Sequence, residues 1–128
     1  MGVELTMLVY SVILAFVLIM IPATLRIFQY GLVSGVGNRA DPRPLSGWGG
    51  RADRASANML ESLPLFAILV LVVHLMAANN HNTALGAQLF FLGRLAHAVV
   101  YILGITWVRT LVWLVAVVGM VMVGMALF

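Results

Sequence analysis

The sequence predicts an all-α integral membrane protein, a bundle of four helices, on two observations. Hydrophobic residues make up 63% of the 128 residues and charged residues only 9%, whereas a soluble domain carries about 25% charged residues. The apolar residues form four runs, each close to the roughly 20 residues that a helix needs to cross the hydrocarbon core. We therefore predict a single domain with spans at about 4–27, 51–77, 84–104 and 107–127.

We predict that the first run is a membrane anchor that stays in the mature protein. It opens with Glu4, has no basic residue before it and is followed by no small-residue cleavage site, so a secretory signal peptide is not predicted. The segment 31–50, rich in Gly and containing two Pro, predicts a structured polar loop at the level of the headgroups.

The charge pattern predicts the orientation in the membrane. The net charge of +3 comes from arginine alone, since there is no lysine, and the connection between the second and third runs is uncharged. By the positive-inside rule, the first and third connections, and with them loop 31–50, are cytoplasmic. The chain uses Arg without Lys and is rich in Ala, which favours a bacterial inner membrane. The charges are not clustered as on a nucleic-acid-binding surface. The cytoplasmic arginines are Arg26, Arg39, Arg43, Arg51, Arg54 and Arg109.

The chain contains no cysteine, which excludes disulfides, thiolate metal sites and a protein thiol nucleophile. His74 and His81 have no neighbouring ligand at helical spacing, so no metal site is predicted. Any thiol chemistry therefore requires a small molecule that brings the sulfur.

Polar residues at helical spacing interrupt the second run. Arg54, Asn58 and Glu61 recur at i, i+4 and i+7 and share one helical face. A charge in hydrocarbon costs at least about 2.5 to 3.5 kcal/mol on insertion scales. This stripe therefore predicts either a partner or a functional role.

A second stripe, Arg94, His97 and Tyr101, lies on one face of the third run. Helical rise places the two stripes at matching depths, with Glu61 and Arg94 both about 15 Å from the cytoplasmic ends of their helices. We predict that these two side chains form an ion pair at the floor of a polar cleft that opens to the cytoplasm near Arg109. A cleft with arginines at its mouth and a carboxylate deeper inside suits a zwitterionic ligand that carries an anion. A second, lipophilic substrate would then enter from the lipid.

The pattern RAxxNxxExxPxF from Arg54 to Phe66, followed by RxxHxxxY from Arg94 to Tyr101 and by Arg109, resembles the MAPEG family, the membrane-associated proteins in eicosanoid and glutathione metabolism. The resemblance covers the chain from about Arg51 to the C-terminus. It implies a four-helix homotrimer, similar to microsomal glutathione transferases, that binds glutathione as cosubstrate between neighbouring subunits.

The resemblance also implies roles for individual residues. Arg109 is similar to the family's catalytic arginine, which stabilises the glutathione thiolate, and Thr110 supplies a hydroxyl beside it. A fixed cation suits that role because a thiol with a pKa of about 8.5 is mostly protonated at neutral pH. The implied activity is a glutathione transferase or peroxidase acting on lipophilic electrophiles. The implied glutathione contacts are Arg54, Asn58, Glu61, Arg94, His97, Tyr101 and, from the first helix, Arg26 or Arg39.

Other roles are compatible with the same residues. A buried ion pair can serve packing specificity alone, and arginines at helix ends can snorkel to the headgroups. One alternative function is a non-catalytic MAPEG scaffold or regulatory protein that binds glutathione or lipid. A small four-helix exporter is a further alternative, but it requires a carboxylate inside the first helix, and 5–25 contains none.

Overall fold

Four long α-helices make up the protein in a computed structural model, which describes residues 2–30 and 47–128. Each helix is long and apolar enough to cross a membrane, and the described residues contain no strand. The predicted all-α class with four spans is therefore confirmed. The helices are α1 (Val3–Tyr30), α2 (Gly47–Leu75), α3 (His81–Leu103) and α4 (Thr106–Met125).

The helix bounds differ from the predicted spans chiefly at the start of α2. That helix begins at Gly47, so the last part of the predicted loop 31–50, including Trp48, is helical. The glycines and prolines of this segment suggested a loop. Proline is nevertheless common at helix N-termini, so its presence did not exclude a helix from Gly47 onwards. The remainder of that loop, with Arg39 and Arg43, lies outside the described residues.

Local capping explains where α3 begins and ends. The Asn80 side chain accepts a hydrogen bond from the Thr83 backbone N–H, and the Thr83 hydroxyl oxygen accepts one from the Asn80 N–H, both at 2.8–2.9 Å. This reciprocal capping box satisfies two of the free donors at the helix start. Gly104 ends the helix at φ 80°, a left-handed conformation that favours glycine.

Helices α3 and α4 are in backbone contact. A Cβ atom at Gly86 would lie 2.6 Å from the carbonyl oxygen of Gly119, and one at Gly93 would lie 2.8 Å from the backbone nitrogen of Ala116. Only residues without a larger side chain permit this approach, as in many membrane helix pairs. The close α3–α4 packing then places the first turns of α4 beside the last turns of α3.

The buried core joins α2 to α3. The rings of Phe66 and Phe90 stack with centroids 3.9 Å apart and planes 13° from parallel, and both side chains are fully buried. Helix α1 packs on α2 and α3 and, among the described residues, makes no contact with α4. Large apolar side chains such as Leu75, Trp107 and Leu111 are exposed, as expected where a helix face meets lipid rather than water.

Polar contacts tie the helix ends together on both sides of the bundle. At one end, Arg26 of α1 forms an ion pair with Asp53 of α2, with Nη2 and Oδ2 2.8 Å apart. At the same end, Arg51 Nε donates to the Ile102 carbonyl oxygen at 2.9 Å. At the opposite end, Asn79 Nδ2 donates to Glu4 at 2.6 Å. The first of these ends, which also holds Arg54 and Arg109, is called the arginine end below.

Candidate functional site

A polar pocket opens near the arginine end where α2, α3 and α4 meet. Its volume is about 270 Å³. Asn58 comes from the middle of α2, His97 and Tyr101 lie one turn apart on α3, and the α4 residues come from its first two turns. Four of the predicted site residues therefore share one pocket. The lining residues are Asn58, His97, Tyr101, Arg109, Thr110 and Trp113.

Arg109 is held over an aromatic ring. Its Cζ atom lies 4.8 Å from the centroid of the Tyr101 ring, within the distance at which a cation is attracted to the ring face. The His97 ring also lies next to the Tyr101 ring, with the two ring centroids 5.5 Å apart. The guanidinium is thus fixed at the pocket wall by an aromatic face instead of a carboxylate, and its charge is not neutralised within the described residues.

The backbone of α4 adds to this positive charge. Arg109 lies in the first turn of a helix that starts at Thr106, and the N-cap Ile105 provides no side-chain hydrogen bond. The N–H groups of a first helical turn carry a partial positive charge that favours anions. The pocket wall formed by the start of α4 is therefore suited to a negatively charged group.

The predicted ion pair between Glu61 and Arg94 is absent. Arg94 Nη2 instead donates to Asn58 Oδ1 at 2.6 Å, and its Nε contacts Met59 Sδ at 3.4 Å. Glu61 is exposed, and Arg94 forms no ion pair in the part of the chain that the structure describes. Matching depths predicted the wrong partner because an arginine side chain is long enough to bridge one turn of about 5.4 Å.

The remaining predicted site residues lie outside the pocket. Arg54 and Glu61 are exposed on the outer face of α2, and neither makes a hydrogen bond or ion pair with another described residue. Arg94 is 2% exposed and lies behind Asn58. Arg26 is paired with Asp53 through both guanidinium nitrogens Nη1 and Nη2.

Two buried polar atoms beside the pocket lack a hydrogen-bond partner among the described residues. They are Nη1 of Arg94 and Nδ1 of His97. Most buried polar groups in proteins are hydrogen-bonded, so these two atoms are exceptions, and only His97 belongs to the pocket lining.

Comparison with family models places the chain among known proteins. The model described as the MAPEG family matches residues 7–128, which is nearly the whole chain. The chain belongs to the MAPEG family. Comparisons with curated proteins and with solved structures find no match.

Family membership and the four apolar helices together define an integral membrane protein of a family associated with glutathione and eicosanoid metabolism. Among residues 2–30 and 47–128, no three His, Asp or Glu side chains come together as a metal site. The resemblance predicted for residues from Arg51 onwards thus extends through α1 as well.

Sequence reasoning missed two features of this MAPEG protein. Trp113 lines the pocket, although it was not among the predicted site residues. Its position four residues after Arg109, on the same face of α4, was the available signal. Asp53 was not considered as the partner of Arg26, although it was the only carboxylate near the start of the second run.

Proposed function

We propose that this MAPEG protein binds glutathione at the arginine end and uses it as cosubstrate on lipophilic electrophiles. The observation that carries the proposal is the shared pocket of Asn58, His97, Tyr101 and Arg109. The Arg109 cation at this pocket has no carboxylate partner among residues 2–30 and 47–128. Family membership supplies the class of ligand. The pocket's chemistry suits a peptide that carries carboxylates and a thiol.

In this mechanism Arg109 stabilises the glutathione thiolate. The thiol proton passes to solvent at the arginine end, and the positive charge of Arg109 and of the α4 start favours the anionic sulfur. Lowering a thiol pKa from about 8.5 to near neutrality requires roughly 2 kcal/mol of differential stabilisation. A guanidinium fixed by Tyr101 is already positioned to provide it, so no reorganisation is needed during the reaction.

The thiolate then attacks the electrophilic carbon of a substrate that enters from the lipid. A carbon–sulfur bond forms, and the electron pair of the broken bond leaves with the departing group or is protonated after opening of an epoxide. With a hydroperoxide, the thiolate instead attacks the terminal oxygen. A second glutathione then gives glutathione disulfide, alcohol and water, which is the peroxidase variant of the same chemistry.

We further propose that the protein assembles as a homotrimer with glutathione between neighbouring copies. The pocket of about 270 Å³ lies just below the range of roughly 300 to 1,000 Å³ that is usual for small-molecule sites, so a second copy would complete its enclosure. Glu61 is an exposed carboxylate within a membrane span, where an unpartnered charge is costly. Arg54 and Glu61 of one copy would contact glutathione seated in the pocket of the next.

The proposal is tested by conjugation of glutathione to chlorodinitrobenzene by the purified protein in lipid vesicles, with cumene hydroperoxide as the peroxidase substrate. We expect activity in the wild type and a loss of roughly a hundredfold or more in Arg109→Ala, as is usual when a group that stabilises charge in the transition state is removed. Equal rates in the two proteins would contradict the role of Arg109. Glutathione binding without turnover would instead identify a scaffold or regulatory protein.

A further inference from the structure

Arg94 is an arginine buried in the middle of the bundle that forms no ion pair with a carboxylate of the described residues. Only 2% of the residue is exposed. Its Nη2 donates to Asn58 Oδ1 at 2.6 Å, its Nε contacts Met59 Sδ at 3.4 Å, and its Nη1 has no partner among the described residues. Two adjacent residues of α2 therefore hold one edge of the guanidinium, which fixes the plane of the group.

This contact determines which way the Asn58 amide points. A guanidinium carries only donors, so the amide must turn its oxygen toward Arg94. The amide nitrogen Nδ2 then lies on the opposite side of the group. Asn58 lines the pocket, and its Nδ2 makes no hydrogen bond with any described residue. The side chain therefore offers the pocket a donor, with its acceptor already occupied.

We infer that Arg94 is a positioning residue that orients the Asn58 amide, so that Nδ2 donates into the pocket and selects a hydrogen-bond acceptor on the ligand. The inference rests on the proposed function for the identity of that ligand. In glutathione the acceptor is a carboxylate or a peptide carbonyl. Arg94 itself, behind Asn58 and outside the pocket lining, does not contact the ligand in this assignment.

The chemistry of the contact favours this role over simple packing. Among the described residues, this buried cation is bonded to an amide oxygen and a thioether. That is an expensive way to hold two helices, because apolar residues of similar size do so without the desolvation cost. A charged donor does, however, fix an amide more firmly than a neutral one, since hydrogen bonds with an ionised partner are about twice as strong. The benefit of a buried arginine at this position is therefore that it fixes the orientation of the Asn58 amide.

A double-mutant cycle tests the inference with two measurements on each protein in detergent: thermal unfolding without ligand and the KM for glutathione. The variants are Arg94→Met, Asn58→Leu and the combination of both. We expect each single variant to unfold at a lower temperature and the combination to recover part of the loss, because it leaves no unpaired polar group. We expect Arg94→Met to raise the glutathione KM about tenfold in the wild-type background.

The combination separates positioning from direct binding. With Asn58→Leu already present, there is no amide to orient, so adding Arg94→Met should leave the KM unchanged. A further rise of the KM on adding Arg94→Met would show that Arg94 contacts glutathione itself, and would overturn the inference. If Arg94→Met alone does not fold, the comparison of Asn58→Leu with the combination still provides this test.

The variant Asn58→Asp provides a measurement, the KM for glutathione, that a purely structural role of this contact would not change. Its carboxylate still presents an oxygen to Arg94, so the unfolding temperature should equal or exceed that of the wild type. Its other oxygen replaces the donor, so the glutathione KM should rise at least tenfold. Arg94→Lys should restore part of the affinity lost in Arg94→Met, because a lysine also donates to the oxygen.

Failure of the inference differs from failure of the proposed function. If the wild type does not bind glutathione while the unfolding temperatures show coupling between Arg94 and Asn58, the proposed ligand is wrong and the orientation of Asn58 stands. If the two substitutions are additive in unfolding temperature, the orientation is wrong whether or not glutathione binds.

Discussion

The guanidinium of Arg109 lies over the face of the Tyr101 ring, with Cζ 4.8 Å from the ring centroid. The two residues belong to different helices, α4 and α3, whose close backbone contact at Gly86 and Gly119 brings them together. The position of the proposed catalytic group therefore depends both on an aromatic side chain and on helix packing deeper in the bundle. Each dependence can be tested separately.

The role of the Tyr101 ring is tested with two substitutions. Tyr101→Phe keeps the ring face, whereas Tyr101→Leu removes it. Because a cation over a ring is stabilised by about 0.5 to 2 kcal/mol, we expect kcat/KM for conjugation to fall roughly 2- to 30-fold further in Tyr101→Leu than in Tyr101→Phe. The measurement is steady-state kinetics in vesicles. Equal losses would show that only the hydroxyl matters and that the ring does not hold Arg109.

The contact between α3 and α4 is tested at two glycines of α4. A Cβ atom at Gly119 would overlap the backbone of α3 at Gly86 and Phe90, whereas one at Gly124 would lie 3.6 Å from the Leu69 side chain, an ordinary contact. We expect Gly119→Ala to lower the free energy of unfolding by about 1 to 3 kcal/mol, as overpacking does. Gly124→Ala is the matched control and should be close to neutral. Thermal unfolding in detergent measures both, and equal effects would contradict the close approach.

Two arginines of the same α2 segment are expected to contribute unequally to stability. Arg51 donates to the Ile102 carbonyl oxygen at 2.9 Å and so satisfies a carbonyl at the C-terminus of α3. Arg54 is exposed and makes no hydrogen bond or ion pair with a described residue. We expect Arg51→Ala to lower the free energy of unfolding by about 1 to 2 kcal/mol. Arg54→Ala should change it by less than about 0.5 kcal/mol without ligand.

Chemical denaturation in detergent without glutathione distinguishes these two variants. A loss of stability in Arg54→Ala equal to that in Arg51→Ala would show that charge at this end matters in general, and that the Arg51 contact does not. Arg51→Lys is a further control. A lysine retains the charge but not the guanidinium Nε donor, so it should recover only part of the stability.

The helices were predictable because hydrocarbon imposes a strong and simple pattern on sequence. Runs of about 20 apolar residues and single-face spacing of polar residues gave the four helices and brought Asn58, His97 and Tyr101 to one pocket together with Arg109. Helical periodicity placed Arg54, Asn58 and Glu61 on one face of α2, yet of these three only Asn58 lines the pocket. Spacing and topology therefore predicted part of the pocket lining but not its full membership.

Side-chain pairing was not predictable in the same way. Periodicity locates Cα atoms, but Arg94 reaches a full turn and therefore bonds Asn58 where Glu61 was expected. Arg26 likewise bonds Asp53 across the helix ends, a contact between residues far apart in sequence. The start of α2 was placed later than Gly47 because glycine has a low helix propensity, yet Gly49 and Gly50 are buried within the helix.

The separation of Arg54 from the pocket leads to a complementation experiment. If glutathione lies between copies of a homotrimer, a complete site takes Arg54 from one copy and Arg109 from the next. Arg54→Ala and Arg109→Ala are then each expected to be impaired as homotrimers, the first mainly in the glutathione KM. In mixed trimers, however, some sites receive both intact arginines. In a trimer that contains both variants, about one of the three sites does so.

Co-expression of the two variants with different affinity tags, followed by sequential purification, yields the mixed trimers. We expect a conjugation rate of about one third of the wild-type rate at limiting glutathione, well above the mean of the two parent variants. The control is Arg109→Ala expressed with both affinity tags and purified in the same way. Its conjugation rate should not rise above that of the Arg109→Ala homotrimer. If each site lies within one copy, every copy in the mixture keeps one lesion, and the rate will not exceed the mean of the parents.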